Sequence, residues 1–164
     1  MKFVSIVIGS KSDYSVMKEC GETLKKLGVP FELIISSAHR SPERTKNYIK
    51  EAEEKCAQVF IAAAGMAAHL AGALAASTTK PVLGVPMASG ELRGEDALLS
   101  TVMMPGGMPV GTLAIGKAGA VNAAYLAIQI MALGDEELQV KLQEDRISKA
   151  KKVELDSSEI ETIL

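Results

Sequence analysis

Five short apolar segments recur along the chain and predict the strands of a parallel sheet. Each consists mainly of β-branched and aliphatic residues, without the polar alternation of a strand that has one face in solvent. Strands buried on both faces of a parallel sheet have such continuous apolar runs. The runs lie at Phe3 to Ile8, Phe31 to Ile35, Val59 to Ala63, Val82 to Val85 and Val110 to Ile115.

The segments between these runs have helical spacing. An apolar stripe from Val16 to Leu27 predicts the first helix, and Gly28 follows it as a C-terminal stop. Ser41 and Pro42 begin the second helix, with an N-cap residue and a proline at the first helical position. Further helices are expected at about residues 66–76, 118–133 and 135–152, the last of them capped by Asp135.

The alternation of strand and helix predicts the fold class. It favours an α/β protein, a three-layer α/β/α sandwich with a parallel sheet, of the flavodoxin-like type with right-handed connections. The 164 residues suit a single catalytic domain, 1–164. The helix at about 135–152 is expected at the periphery, and the last dozen residues are expected to fray or to lie on a neighbouring subunit.

Composition and charge limit the classes of partner that the protein is expected to bind. The chain is 48% hydrophobic with a net charge of -2, so it lacks the basic surface that nucleic-acid binding requires. No apolar run approaches the roughly 20 residues of a membrane span, and the first residues enter a strand instead of a signal peptide. We therefore expect a cytoplasmic location, without nucleic acid or membrane as partner. The alanine-rich helix at 118–133 has little polar face and is expected to be buried, with a subunit interface as one place for it.

The two cysteines are expected to be structural. Cys20 and Cys56 each fall in a predicted helix, without a second cysteine or a histidine at metal-ligand spacing. A buried cysteine commonly acts as a small hydrophobic residue. A redox or metal role is the alternative, and the pattern does not favour it.

The loop after the first strand is a candidate anion site. In an open parallel sheet, ligands bind beyond the carboxyl ends of the strands. Gly9 to Asp13 follow the first strand and lead into a helix, whose N–H groups and dipole favour an anion. Ser10 and Ser12 add hydroxyl groups, and Asp13 is either an N-cap or a partner for sugar hydroxyls.

The loop after the second strand supplies candidate chemistry. His39 is a candidate proton carrier, because a histidine side chain can act as a general acid or a general base. Arg40 either binds a phosphate with paired N–H donors or forms a surface salt bridge. His69, after the third strand, either points into the site or packs between helices, and Lys117 is either a further phosphate contact or a solvated lysine. These loops predict proton transfer by His39 on a phosphorylated small molecule.

Several long motifs in order resemble the N5-carboxyaminoimidazole ribonucleotide mutases, the PurE family of purine biosynthesis. The resemblance covers about residues 3 to 150. The motifs are Gly9-Ser10-Lys11-Ser12-Asp13, Ser37-Ala38-His39-Arg40-Ser41-Pro42, Ala67-Ala68-His69-Leu70, Gly84-Val85-Pro86 and the stretch from Met104 to Ile115, MPGGMPVGTLAI.

The resemblance implies an isomerase that moves a carboxylate from nitrogen to carbon without ATP, metal or organic cofactor. The substrate would lose carbon dioxide in a closed site and take it back on a ring carbon to give 4-carboxy-5-aminoimidazole ribonucleotide. His39 would protonate the departing nitrogen and later remove the ring-carbon proton. Family members form homo-octamers. By position, Ser10, Asp13 and Arg40 would bind the ribonucleotide with Ser12 and Ser37 close by, Gly65 and His69 would border the carbon dioxide, and the segment from Ser89 to Asp96 would close over the ligand.

Two departures and two rival functions accompany this resemblance. Met66 stands where the family often has a second glycine, and Ala71 where it often has proline; both affect only the shape of the expected carbon dioxide pocket. A related branch carboxylates aminoimidazole ribonucleotide directly, and there the His-Arg pair tends to be His-Lys, so Arg40 and His69 favour the mutases. The non-enzymatic rival is a flavodoxin-like binding module for a nucleotide or flavin.

Overall fold

A computed structural model describes residues 1–160. The strands are β1 (Phe3–Ile8), β2 (Phe31–Ile35), β3 (Ala57–Gly65), β4 (Val82–Met87) and β5 (Gly111–Thr112). The helices are α1 (Tyr14–Lys26), α2 (Pro42–Glu54), α3 (Leu70–Ala75), α4 (Glu95–Val102), α5 (Lys117–Ala132) and α6 (Glu136–Ile160), with a short 3-10 turn at Lys11–Asp13 before α1. None of the helices in this part of the chain is both long and apolar enough to span a membrane.

The sheet is parallel throughout and confirms the predicted fold class. Its strand order is β2-β1-β3-β4-β5. The chain first adds β2 on one side of β1 and then continues on the other side with β3, so the order reverses at β1. This is the flavodoxin-like order, in which ligands bind at the carboxyl ends of the strands where the order reverses.

Two apolar layers cover the faces of the sheet. On one face, alternate side chains of β1 such as Val4 and Ile6 pack against α1 and α5, with Leu138 of α6 joining the cluster. On the other face, Val7 and Phe60 pack with residues of α2 and α3. Burial on both faces explains why β1 and β3 have continuous apolar sequences. The alanines of α5 let this helix approach α1 and the sheet closely, so much of its burial arises within the chain.

The fifth strand is much shorter than the predicted run from Val110 to Ile115. Leu113 donates its amide hydrogen to the Gly84 carbonyl at 2.9 Å. In a parallel ladder the next bond would run from the amide of residue 86 back to Leu113, but Pro86 has no N–H. The ladder therefore ends. The Gly116 amide donates to the Pro86 carbonyl at 2.9 Å, whereas in a regular strand the amide of the preceding residue would make this bond.

Two other expectations differ from the structure, and those for Cys20 and Gly28 agree with it. The third helix begins at Leu70 and not near residue 66, because β3 continues to Gly65 and Met66 has a left-handed backbone with φ of 56°. Cys20 is buried as expected, but Cys56 lies beyond the end of α2, exposed and with φ of 77°. Cys56 is therefore not a core residue. The predicted stop at Gly28 has the expected positive φ of 75°.

The last helix lies along α5 and continues beyond the expected end near residue 152. Asp135 caps it, accepting a hydrogen bond from the Leu138 amide at 3.1 Å. Residues 153–160 extend it as an exposed helix. The rest of the expected frayed or neighbour-bound tail lies outside the described residues.

A buried carboxylate fastens α6 to the body of the protein. Asp145 is 7% exposed. It accepts hydrogen bonds from Lys26 of α1 at 2.6 Å, from Tyr125 of α5 at 2.8 Å and from Lys149 of α6 at 2.8 Å. Burial by itself acts to raise the pKa of Asp145, but the hydrogen bonds from Lys149, Lys26 and Tyr125 outweigh it and hold the pKa well below its usual range.

We expect Asp145→Asn to lower the free energy of unfolding at neutral pH by about 1.5–3 kcal/mol, the range for hydrogen bonds to a charged group. The pKa of Asp145 is lower in the folded state than in the unfolded state, so the carboxylate contributes its full stabilisation of the fold above about pH 4. This contribution is lost as the pH falls further towards the folded-state pKa. Unfolding curves at neutral pH and at about pH 3 measure both effects.

The matched control for this experiment is Asp156→Asn, an exposed aspartate on the same helix. We expect it to change stability by less than about 0.5 kcal/mol at either pH. A stability loss in Asp145→Asn that stays the same from neutral pH down to about pH 3 would contradict the assigned pKa.

Candidate functional site

A cleft of about 510 Å³ lies beyond the carboxyl ends of the strands, at the reversal of strand order. Four loops line it, those that follow β1, β2, β3 and β4. Every site residue predicted from the sequence lines this cleft: Ser10, Ser12, Asp13, Ser37, His39, Arg40, Gly65 and His69.

Larger cavities elsewhere lack comparable chemistry. One of about 620 Å³ lies near Lys2 and Pro30, where β1 and β2 begin, and another of about 850 Å³ lies beside the short β5. Neither contains a histidine, and both histidines of the chain line the cleft at the other end of the sheet. In residues 1–160 there is no cluster of three or more metal-ligating side chains.

The first loop folds around the carboxylate of Asp13. The Ser10 amide donates to Asp13 Oδ2 at 3.2 Å, and the Ser12 hydroxyl donates to Oδ1 at 3.4 Å. The hydroxyls of Ser10 and Ser12 also contact each other. Asp13 occupies the N-cap position of α1, but its side chain makes no hydrogen bond that caps this helix and instead accepts from the Ser10 amide.

Asp13 is the buried acid of the cleft. It is 7% exposed, and its carboxyl pKa is raised because burial outweighs the hydrogen bonds from Ser10 and Ser12, which lower it. These bonds use part of the carboxylate's acceptor capacity. The oxygens keep capacity for further donors, because each carboxylate has about four lone-pair sites.

Arg40 lines the cleft and forms no salt bridge with any carboxylate in residues 1–160. Its Nη2 donates to the Gly9 carbonyl at 3.0 Å, and its Nε donates to the Ser37 hydroxyl at 3.4 Å. The guanidinium therefore joins the loops after β1 and β2. The salt-bridge alternative is not observed, and the exposed side of the guanidinium faces the cleft.

The two histidines stack on each other across the cleft. The ring centroids of His39 and His69 are 5.5 Å apart, with an angle of 12° between the ring planes. His39 is on the loop after β2, and His69 immediately precedes α3. Of the two alternatives for His69, the structure therefore has the one in which it points into the site.

Ser89 also lines the cleft. From the sequence it is expected only as the first residue of the segment from Ser89 to Asp96 that closes over the ligand. It lies two residues after Met87, which pairs with Gly65 in the β3–β4 register. A Cβ atom on Gly65 would collide with the Ser89 hydroxyl and lie 3.1 Å from the Ser89 Cβ. Gly65 is thus required for the close approach of the loops after β3 and β4. The β3–β4 register, which pairs Met87 with Gly65, is the signal that identifies Ser89 as a residue near the cleft.

Lys117 does not reach the cleft. Its Nζ lies 3.1 Å from a carboxylate oxygen of Glu19 on α1, and the side chain is 71% exposed. Of its two alternatives, the structure therefore favours the surface lysine over the phosphate contact.

The fold and the cleft together define a flavodoxin-like α/β protein whose site combines an arginine, a buried aspartate, several hydroxyls and a histidine pair. This chain belongs to the AIR carboxylase family, whose model matches residues 3–152.

The chain is similar in sequence to named enzymes over most of its length. The chain is 51% identical over 156 residues to the N5-carboxyaminoimidazole ribonucleotide mutase of Bacillus subtilis, covering 95% of this chain and 96% of that protein. It is 53% identical over 143 residues to the mutase of Escherichia coli K12, covering 87% and 85%. The crystal structure of Treponema denticola PurE superposes with a TM-score of 0.89 at 27% identity, covering 99% of this chain and 100% of that one.

We expect Gly65→Ala to lower the free energy of unfolding by about 1–2 kcal/mol, because the added methyl group overpacks against Ser89. Thermal unfolding measures the loss. In a Ser89→Ala background the same change is expected to cost less, since the hydroxyl that it meets is gone.

Gly106→Ala is the matched control. A Cβ there meets nothing within 4 Å, so we expect unchanged stability or a gain of up to about 1 kcal/mol from the lower entropy of the unfolded chain. Equal costs of Gly65→Ala in the two backgrounds would refute the contact with Ser89.

Proposed function

We propose that this chain converts N5-carboxyaminoimidazole ribonucleotide to 4-carboxy-5-aminoimidazole ribonucleotide in purine biosynthesis. One observation carries the proposal: a single cleft gathers both histidines, the arginine and the Ser-Ser-Asp loop. The identity of about half of all aligned residues to enzymes named for this reaction supports the same substrate.

The ribonucleotide is held by the loops after β1 and β2. Arg40 binds the phosphate through charge-assisted hydrogen bonds, and the Ser10 hydroxyl adds a donor beside it. Asp13 accepts hydrogen bonds from the ribose hydroxyls. Ser12 and Ser37 support these contacts, because each is hydrogen-bonded to one of the binding residues.

His39 moves the protons of both half-reactions. The bond between the exocyclic nitrogen and the carboxylate carbon breaks, carbon dioxide leaves, and His39 gives its proton to that nitrogen. The ring carbon of the aminoimidazole then attacks carbon dioxide, and His39 takes the proton from this carbon. The imidazole ends in its starting state, so one group serves as the acid of the first step and the base of the second.

Gly65 and His69 border the carbon dioxide between the two steps. The stacking of His69 on His39 supports a position of His69 beside the reacting atoms. Retaining the released molecule in contact with the ring carbon replaces a bimolecular encounter with an effectively intramolecular step. The segment from Ser89 to Asp96 closes the cleft, and the positive φ values of Gly90, Arg93 and Gly94 make it a series of turns.

The proposal includes one catalytic domain over residues 1–164, a homo-octamer and a cytoplasmic location. Leu99, Val102 and Met103 at the end of α4 are 60%, 46% and 78% exposed, and such an apolar patch supports self-association. A phosphorylated substrate does not cross a membrane unaided, which supports placing the enzyme in the compartment that contains its substrate, here proposed to be the cytoplasm. Light scattering measures the stoichiometry.

The function is tested by offering the two possible substrates separately. We expect efficient product formation from N5-carboxyaminoimidazole ribonucleotide, and only slow formation from aminoimidazole ribonucleotide with carbon dioxide. The reverse preference would make the chain a direct carboxylase. Binding of either ribonucleotide without turnover would support a binding module instead.

We expect His39→Asn to bind the ribonucleotide with nearly unchanged affinity while its turnover falls by at least about 10²- to 10⁴-fold, the usual worth of general acid–base catalysis. Calorimetry with the product measures binding, and the rate at saturating substrate measures turnover. Near-normal turnover would show that another group moves the protons.

A further inference from the structure

Ser41 occupies the N-cap position of α2, yet its hydroxyl does not cap the helix. Serine at this position usually accepts a hydrogen bond from an amide of the first helical turn. Here the Ser41 hydroxyl bonds backwards, donating to the Ser37 carbonyl at 3.0 Å and accepting from the Ser37 amide at 3.2 Å. The Ser41 amide also donates to the Ser37 carbonyl, at 2.8 Å. Three hydrogen bonds thus join Ser37 and Ser41.

The closed turn contains the two residues on which the proposed chemistry depends. His39 and Arg40 lie between Ser37 and Ser41. The Ser37 hydroxyl accepts from the Arg40 amide at 3.2 Å and from its Nε at 3.4 Å. Any displacement of Ser37 therefore moves an acceptor that orients the guanidinium.

Buried hydroxyls anchor the turn to the core. The Ser36 amide donates to the Ile8 carbonyl of β1 at 3.0 Å. The hydroxyls of Ser36 and Thr45 are 2.7 Å apart, and these residues are only 1% and 3% exposed. Thr45 also donates to the Ser41 carbonyl, at 3.2 Å. A buried network with every member paired holds one geometry, since each broken bond leaves a buried polar group unsatisfied.

We propose that Ser41 is a positioning residue for Arg40: its hydroxyl forgoes the helix cap to hold Ser37, and Ser37 in turn orients the guanidinium towards the phosphate of the substrate. The step to phosphate affinity rests on the proposed function. The ordering of the turn does not, because every contact involved joins two groups of the protein itself.

Hydrogen exchange of the unliganded protein tests the turn itself. In Ser41→Ala we expect the Ser37 and Arg40 amides to exchange about 10-fold faster, as expected for the loss of one net hydrogen bond. Ser41→Thr keeps the hydroxyl and should restore slow exchange. Unchanged exchange in Ser41→Ala would overturn the proposal.

Calorimetry with 4-carboxy-5-aminoimidazole ribonucleotide tests the consequence. Ser41→Ala should bind about 10-fold more weakly than the wild type, and Ser41→Thr should rescue it. If Ser41 acts through Arg40, the double variant Ser41→Ala/Arg40→Ala binds no more weakly than Arg40→Ala alone. Additive losses would overturn the positioning role, since a general loss of stability would produce them.

Ser77→Ala is the matched control. The Ser77 hydroxyl also donates to a carbonyl four residues earlier, that of Ala73 at 3.0 Å, but it lies away from the cleft. Its removal should change neither exchange in the turn nor affinity. If the wild type fails to bind the ribonucleotide, the proposed function fails, while the exchange result still decides whether Ser41 holds the turn.

Discussion

The pairing of β1 with β2 on one side and β3 on the other is the constraint on which the rest of the structure depends. It buries β1 from Val4 to Ile8 and makes its carboxyl end the place where the loops on both sides diverge. Helices start in opposite layers from these loops, so a crevice opens between them. Arg40 bridges this crevice by bonding to the carbonyl of Gly9, directly after β1.

Short, small and hydroxyl-bearing residues build the cleft because the loops must approach closely. Gly65 admits Ser89, and Ser37 accepts hydrogen bonds from Arg40 without filling the space that a ligand needs. Met66 is a large side chain in a left-handed conformation at the cleft rim. Its Cγ lies 3.5 Å from where a Cβ on Gly90 would be, so it joins the loops after β3 and β4. A left-handed non-glycine residue persists only where the surrounding structure holds it.

Residues that do not line the cleft determine where the sheet ends and how α6 packs. Pro86 stops the β4–β5 ladder, and the residues after Thr112 leave the sheet edge and lead into α5. Asp145 ties α6 to α1 through its ion pair with Lys26 and to α5 through the hydrogen bond from Tyr125. Because these ties lie away from the cleft, the last helix serves the body of the fold and not the residues of the proposed reaction.

The sequence by itself determined the fold class, the positions of the first four strands and which loop residues line the cleft, because strand burial leaves a local apolar pattern and the loops that follow parallel strands meet at one edge. Tertiary structure alone decided the stacking of His39 on His69, the pairing of Lys117 with Glu19 and the exposure of Cys56. It also decided the backward bonding of Ser41, where local preference predicted a cap. Such contacts depend on how loops are oriented by packing between elements distant in sequence, and the local pattern of residues does not encode that orientation.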